Sequence, residues 1–442
     1  MNAKKIGLVA LTLVAVSNML GSGIFLVPTI LAKIGSISIW SWVLTGIGTM
    51  CLAFVFTRLT ILKPDSSGII GQSGRCYGPY VEFMLSISYW ITCWVGNIAL
   101  IIAGVGYLAY FFPELNDPVW RAFAAAVMLW FFTLLALVGA DFTSKLQSVT
   151  TVLLIGIVFL LGILGVMRYE PGVFAATYNM SGETSAHAIA LGIAACFWSF
   201  LGLEGASVTS DLVDNPNRTI PIATIAGFVI AWVLCIIATY GIYAVLPYDQ
   251  LVASSAPFAD AVRFVMGTAA GNFVAISSII IIFFSLNGWL VLQSQPAKVA
   301  ADKGLLPAIM GKVNKNQVPA VNLTITAILM TIIIFATISP TAAKQFEILI
   351  LLAVFTSIVP YIFAISSLIV FQLRDKRKLA EIKADIASAI IALVFCIYVM
   401  TTIEVEGLAY GLEFVVLTIP LYTYVLWRKN RDDEALPTES AD

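Results

Sequence analysis

Twelve stretches of this chain are long and apolar enough to cross a bilayer, and this limits the fold more than any single motif does. A crossing helix needs about 20 mostly apolar residues, because the hydrocarbon core is about 30 Å thick. Such runs fall near 7–33, 38–61, 81–110, 121–139, 146–167, 188–210, 221–246, 272–296, 321–339, 347–372, 386–403 and 407–427. Composition agrees: of 442 residues, 60% are hydrophobic and 11% charged, with a mean hydropathy of +0.97. Soluble domains carry about 25% charged residues to face water. A soluble enzyme, a nucleic-acid binder and a disordered scaffold are thereby excluded. The expected class is an all-α polytopic membrane protein with 12 transmembrane helices. A shorter segment, Pro257 to Met266, carries Asp260 and Arg263 and reads as a half-buried surface helix.

The start, Met1-Asn2-Ala3-Lys4-Lys5 before an apolar run, imitates a signal peptide. No small-x-small cleavage site follows, and the run continues through Gly21-Ser22-Gly23 to Ile34, so it reads as a retained first span. An even number of spans puts both termini on one side. Only Lys33, Arg121, Arg168, Arg263 and Lys344 fall opposite Lys4 and Lys5; the other 19 of the 24 basic residues share their side. The termini are therefore expected in the cytoplasm. Residues 1–428 read as one transmembrane domain, and the polar, acidic stretch 429–442 as a disordered cytoplasmic tail.

Metal and disulfide chemistry find no foothold. Cys51, Cys93, Cys196, Cys235 and Cys396 lie inside apolar runs without a CxxC or Cys/His cluster, and read as small buried hydrophobes. His187, the single histidine, opens an apolar run and reads as a helix-entry residue. No cofactor is implied.

Two spans carry glycine interruptions in corresponding places. The first reads Asn18-Met19-Leu20-Gly21-Ser22-Gly23-Ile24-Phe25; the sixth reads Trp198-Ser199-Phe200-Leu201-Gly202-Leu203-Glu204-Gly205-Ala206-Ser207. Being five spans apart, they divide the chain into inverted repeats near 7–167 and 188–372, with 386–427 appended. Paired interrupted helices point to a transporter's substrate site, because unwinding frees N–H and C=O groups that lipid cannot satisfy. Freed amides at Ser22 and Gly23 suit a carboxylate; freed carbonyls at Met19, Trp198 and Leu201 suit an ammonium. Close helix packing through small residues is the competing reading.

Glu204 is the sharpest single residue, since a charge near the bilayer centre costs about 2.5–3.5 kcal/mol on insertion scales. No basic residue lies in the central part of a span to pair with it. It reads as a proton-linked switch beside the substrate, or else as a helix-end glutamate reaching the interface. In the third span Thr92, Cys93, Asn97 and Leu100 lie at helical spacing and can share a face. Trp289, midway along the eighth, is either a packing anchor or an indole placed to stack on a cationic head. Trp198 is a candidate lid.

These motifs resemble the amino acid/polyamine/organocation superfamily, its bacterial basic amino acid/polyamine antiporters, and the arginine/agmatine antiporters in particular. Asn18 to Phe25 matches the GSGIF signature of the first helix. Trp198 to Ser207 matches the WSFxGxEsAS pattern of the sixth, with Gly205 where serine is frequent. Asp214 to Thr224 matches the NPxRxxPxA loop, and Tyr89 to Pro118 also agrees. The likeness spans about residues 4–428. It implies a five-plus-five inverted-repeat, LeuT-like fold with discontinuous helices 1 and 6, a homodimer, and a bacterial inner-membrane location. The implied activity is electrogenic exchange of an external basic amino acid for its decarboxylated amine, arginine for agmatine first. Lysine/cadaverine, ornithine/putrescine and a proton-coupled amino-acid symporter are the alternatives. Partnership with a cytoplasmic decarboxylase, which consumes a proton, would give acid resistance.

Residue by residue, the resemblance assigns Asn18, Met19, Ser22 and Gly23, with Trp198 and Leu201, to the substrate's amino-acid end. It assigns Thr92, Cys93, Asn97 and Leu100 to the side-chain pocket, and Trp289 to stacking and a middle gate. Trp198 closes the outer side, and Tyr89, Glu204 and Tyr361 the cytoplasmic side. Two departures touch the pocket: Thr92 stands where the arginine/agmatine antiporters have alanine, and Ala353 replaces a pocket serine.

Overall fold

The computed structural model describes residues 7–21, 23–65, 67–138, 141–205, 215–403 and 416–428, with backbone only at 141–148, 216, 217 and 379. All regular structure among them is helical. Among the described residues, nine helices are long and apolar enough to cross a membrane, and a tenth span forms if the bent pair α1 (Leu8–Met19) and α2 (Gly23–Ala32) counts as one. The polytopic helical reading therefore stands. Of the remaining two expected spans, α14 (Ala320–Ala336) is a shorter apolar helix. The last is described only over 416–428, and its first half, like the terminal tail, lies outside the described residues.

Local chemistry sets the helix ends. The helix α3 (Ile39–Leu62) is followed by α4 (Gly68–Tyr77), a helix too short and polar to cross. Gly78 then turns the chain at φ +98° into Pro79, the first residue of α5 (Pro79–Leu108), as suits glycine at positive φ and proline at N1. Asp117 caps α6 (Pro118–Ala136), its carboxylate accepting from the N–H of Val119 and Trp120 at 2.9 and 3.0 Å. Beyond α7 (Asp141–Met167) and the short α8 (Pro171–Ala176), Thr184 caps α9 (Ser185–Trp198) by accepting from the backbone N–H of His187. His187 thus sits in the first turn, as its place in the sequence suggests.

After α10 (Pro216–Val245) and α11 (Tyr248–Ala253) comes α12 (Pro257–Met266), the expected half-buried helix. Its Phe258, Ala259, Ala261 and Val262 are buried while Arg263 is exposed. The chain continues through α13 (Thr268–Asp302), α15 (Ala342–Arg374), α16 (Leu379–Thr401) and α17 (416–428). The central helix α5 packs against α13 and α15; α1 packs on α10, and α2 on α9 and α10. Gly21 and Gly23, at the first interruption, and the second interruption, 199–205, thereby meet in the interior beside α5 and α13.

The outward and inward faces of a span are alike in being apolar, as suits a helix with lipid on one side and protein on the other. Val127, Phe131 and Leu134 of α6 are more than half exposed, whereas Leu129, Phe132 and Ala136 are buried. The six cysteines are free thiols, five of them buried.

Candidate functional site: a cavity between two helix breaks

The first break bends the chain by 41° between α1 and α2. At the second, α9 stops at Trp198 and the chain turns through Gly202 at φ +97°, a conformation that side chains rarely adopt. The breaks touch: a methyl group at position 23 would lie 2.6 Å from Ser199 Oγ and 2.9 Å from Ser199 Cα. A methyl at 202 would lie 2.9 Å from Cζ2 of Trp289 and 3.2 Å from the Asn18 carbonyl oxygen. Close packing and an opened backbone are therefore not alternatives here. The glycines let two broken helices and an indole meet around one cavity.

That cavity, of about 40 Å3, is lined by Asn18, Met19, Gly23, Tyr89, Thr92, Cys93, Asn97, Leu100, Trp198, Leu201, Glu204 and Trp289 among the residues expected from sequence. A water needs at least about 10–15 Å3 of such space, so the cavity as it stands takes a few waters. A larger ligand would have to displace side chains, and two indoles stand in the wall. Trp198 covers Gly96, with Cη2 2.9 Å from where a methyl would stand, and meets Phe346 edge-on at 6.4 Å. Trp289 lies between Gly202 and Gly21, its Nε1 3.8 Å from where a methyl on Gly21 would be.

Glu204 is 4% exposed. Tyr89 Oη of α5 donates to its Oε1 and Tyr361 Oη of α15 to its Oε2, both at 2.6 Å. The backbone N–H groups of Gly202 and Glu204 also face the carboxylate. Two phenols thus hold it, and at 4% exposure it does not reach out to the interface. No described residue of the cavity wall is basic, so positive charge entering it finds the carboxylate without a fixed rival.

The polar wall of α5 is more committed than its sequence suggests. Thr92 Oγ1 bonds the Ser88 carbonyl oxygen at 3.1 Å and Thr356 Oγ1 at 2.8 Å. Asn97 Nδ2 donates to Gln293 Oε1 at 2.6 Å, and Gln293 Nε2 passes the chain to Thr326 Oγ1 at 3.0 Å. Asn97 Oδ1 is buried without a protein partner. The amide is therefore locked in one orientation with its carbonyl open toward a donor such as an ammonium or guanidinium.

Not every expected residue comes together. Ala353 is fully buried in α15 and does not line the cavity. The α15 residue that reaches the α5 wall is Thr356, whose hydroxyl also lies 3.1 Å from the Ala353 carbonyl oxygen. A methyl side chain has neither the length nor the polarity to do this. Tyr361 acts through Glu204 rather than from the cavity wall, and Ser22 lies outside the described residues. The Trp198 carbonyl is partly engaged, accepting from the Leu201 N–H at 3.2 Å. Gly21, Gly96, Gly202, Gln293 and Thr356 had not been assigned to the site. Gln293 had a signal that went unused: an amide one turn beyond Trp289 in an apolar run. Gly205, where the antiporters often carry serine, faces Asn18 Nδ2 at 3.1 Å from a would-be methyl, so the Asn18 amide fills the space a serine side chain would need.

Comparison with known proteins assigns the family. The amino acid permease family model matches residues 6–430. The cadaverine/lysine antiporter of Escherichia coli K12 is 33% identical over 448 residues, covering 100% of this chain and 99% of the relative. The putrescine transporters PotE of Haemophilus influenzae and E. coli K12 are 31% and 32% identical, covering 97% and 96% of this chain and 99% and 96% of theirs. These are transporters, not enzymes. The chain belongs to the amino acid permease family, among the basic amino acid/polyamine antiporters of the amino acid/polyamine/organocation superfamily.

Proposed function

We propose that this protein exchanges an external basic amino acid for its internal decarboxylated amine across a bacterial inner membrane. The observation that carries the reading is the buried Glu204 carboxylate, held by Tyr89 and Tyr361 at the edge of a cavity with no described basic residue in its wall. The substrate's carboxylate would meet the amides opened at the first break, including Ser22 and Gly23, and its α-ammonium the carbonyls of Met19, Trp198 and Leu201. Asn97 Oδ1 and the Trp289 indole would receive the cationic head. Trp198 would close the outer side, and Tyr89, Glu204 and Tyr361 the inner.

Twelve spans in a five-plus-five inverted repeat, cytoplasmic termini and a homodimer complete the proposal. Importing a monocation and exporting a dication removes one positive charge per cycle, worth about 2.3 kcal/mol per 100 mV. Coupled to a decarboxylase that consumes a proton, the exchange would relieve acid stress.

For the substrate pair, the activity in the name of the cadaverine/lysine relative favours lysine and cadaverine. Arginine and agmatine are the second reading, favoured by an indole and a fixed amide carbonyl, which suit a planar guanidinium. Counterflow of labelled lysine in proteoliposomes, competed by arginine, ornithine, agmatine, cadaverine and putrescine, tests this. Lysine and cadaverine are expected to compete best; stronger competition by arginine and agmatine selects the second pair. Competition by none removes the substrate class.

A further inference from the structure

A second cavity, of about 50 Å3, lies on the other side of Tyr89 and is lined by Ser67, Glu82, Tyr89, Gly205 and Gln295 among others. Tyr89 borders both cavities, so the residue that holds Glu204 is shared by the two. Glu82 and Tyr89 stand seven residues apart on α5, two turns or roughly 10 Å along the axis. The Glu82 side chain is 16% exposed, and its Oε1 is engaged by Lys303 Nζ. Lys303 caps the C-terminal end of α13, the helix that carries Trp289, and its Nζ also donates to Ser67 Oγ at 3.1 Å. Glu82 packs against Gly74 of α4, where a methyl would meet its Cβ at 2.6 Å. One ion pair therefore ties α5, α13 and the α4 segment together across this mouth.

The group bound to Glu82 is a primary alkylammonium, which is the head group of lysine and of the linear diamines. A carboxylate placed to hold Lys303 Nζ can hold a substrate's ammonium in the same way, and two ammonium groups at one carboxylate repel each other and so compete for it. We propose that Glu82 is a second cation site, at the cytoplasmic mouth, which takes an ammonium of the exchanged amine, and that Lys303 is the tethered competitor closing that mouth when the site is free of substrate. The inference rests on the amine-exchange reading above. On entry, the amine displaces Lys303, frees α13 from α4 and passes from Glu82 to Glu204 once Tyr89 moves.

The test compares right-side-out with everted membrane vesicles, so that each face is assayed by itself. Glu82→Gln is expected to raise KM for cadaverine at the cytoplasmic face about tenfold while external KM for lysine stays within about twofold, the scale of one charge-assisted hydrogen bond. Lys303→Gln is expected to lower cytoplasmic KM, because it removes the competitor. The opposite signs separate binding from a merely structural ion pair: two shifts in the same direction, or an unaltered KM in Glu82→Gln, overturn the inference. Unaltered external KM reports intact folding. Absence of exchange in the wild-type chain would count against the transport reading instead. Equilibrium binding of labelled cadaverine to purified wild type and Glu82→Gln then decides the site, weaker binding by the variant supporting it and equal binding overturning it.

Discussion

Gly202 combines positive φ with an indole 2.9 Å from the space a side chain would take. Gly202→Ala is expected to cost about 1–3 kcal/mol in backbone strain and to push Trp289 off the breaks, with exchange falling at least about tenfold. Thermal unfolding of the purified protein together with counterflow checks this; wild-type flux in a stable variant would return Gly202 to an ordinary turn. Glu204→Gln keeps the shape of the carboxyl and removes its titration. Exchange by this variant is expected to lose its pH dependence, and a wild-type pH profile would remove Glu204 from any proton-linked step. Both residues stood out in the sequence, one as a break and one as an intramembrane acid. Their partners stood out only through the family resemblance, not from composition or spacing. Tyr89 and Tyr361 are 272 positions apart, and only the packing of α5 and α15 against the second break brings both phenols to one carboxylate.

At the scale of elements, the spans were legible because period and polarity are uniform over 20 residues, whereas α4 was not, being a ten-residue helix in which glycine, serine, glutamine and arginine interrupt the apolar residues. It is held by what surrounds it: Arg75 pairs with the buried Asp65 at 2.6 Å, and Ser73 bonds back to the Ile69 carbonyl oxygen. Between α3 and α16, Arg58 grips Asp385 through two hydrogen bonds of 2.9 Å, with Gln372 of α15 on the same carboxylate. Asp385→Ala leaves a half-buried guanidinium without its partner, and is expected to lower the unfolding temperature with little effect on KM; unaltered melting would show that the pair is replaceable by water. On α12, burial raises the Asp260 pKa from its ordinary carboxylate value, with the Ser254 hydroxyl at 2.6 Å and Arg263 opposing the shift. An acid protonated more readily in the folded state carries no penalty below its unfolded pKa, and the penalty grows as pH rises through the folded one. Protection factors for hydrogen exchange over 254–266, with the base-catalysed rise of intrinsic exchange divided out, are therefore expected to be highest in acid and to fall as pH rises above about 4. In Asp260→Asn that trend disappears; a persistent trend would place the titrating group elsewhere.

For the whole molecule, the scarcity of charge that identified a membrane protein also explains the site. With nearly every ionisable side chain at the helix ends, Glu204 stands out among the buried residues, and the Glu82–Lys303 pair marks the route toward it. What the sequence could not place was depth: whether Ala353 or Thr356 of the same helix reaches the α5 wall depends on helix rotation, which a composition-uniform span leaves open. The central claim is an exchange that moves charge. It is tested most directly by uptake of labelled lysine into proteoliposomes loaded with cadaverine, with the membrane potential clamped by potassium and valinomycin. Uptake is expected to require internal cadaverine and to quicken when the interior is made positive, since each cycle carries one net positive charge out. Uptake into empty liposomes driven by a pH gradient, or exchange indifferent to potential, would contradict it.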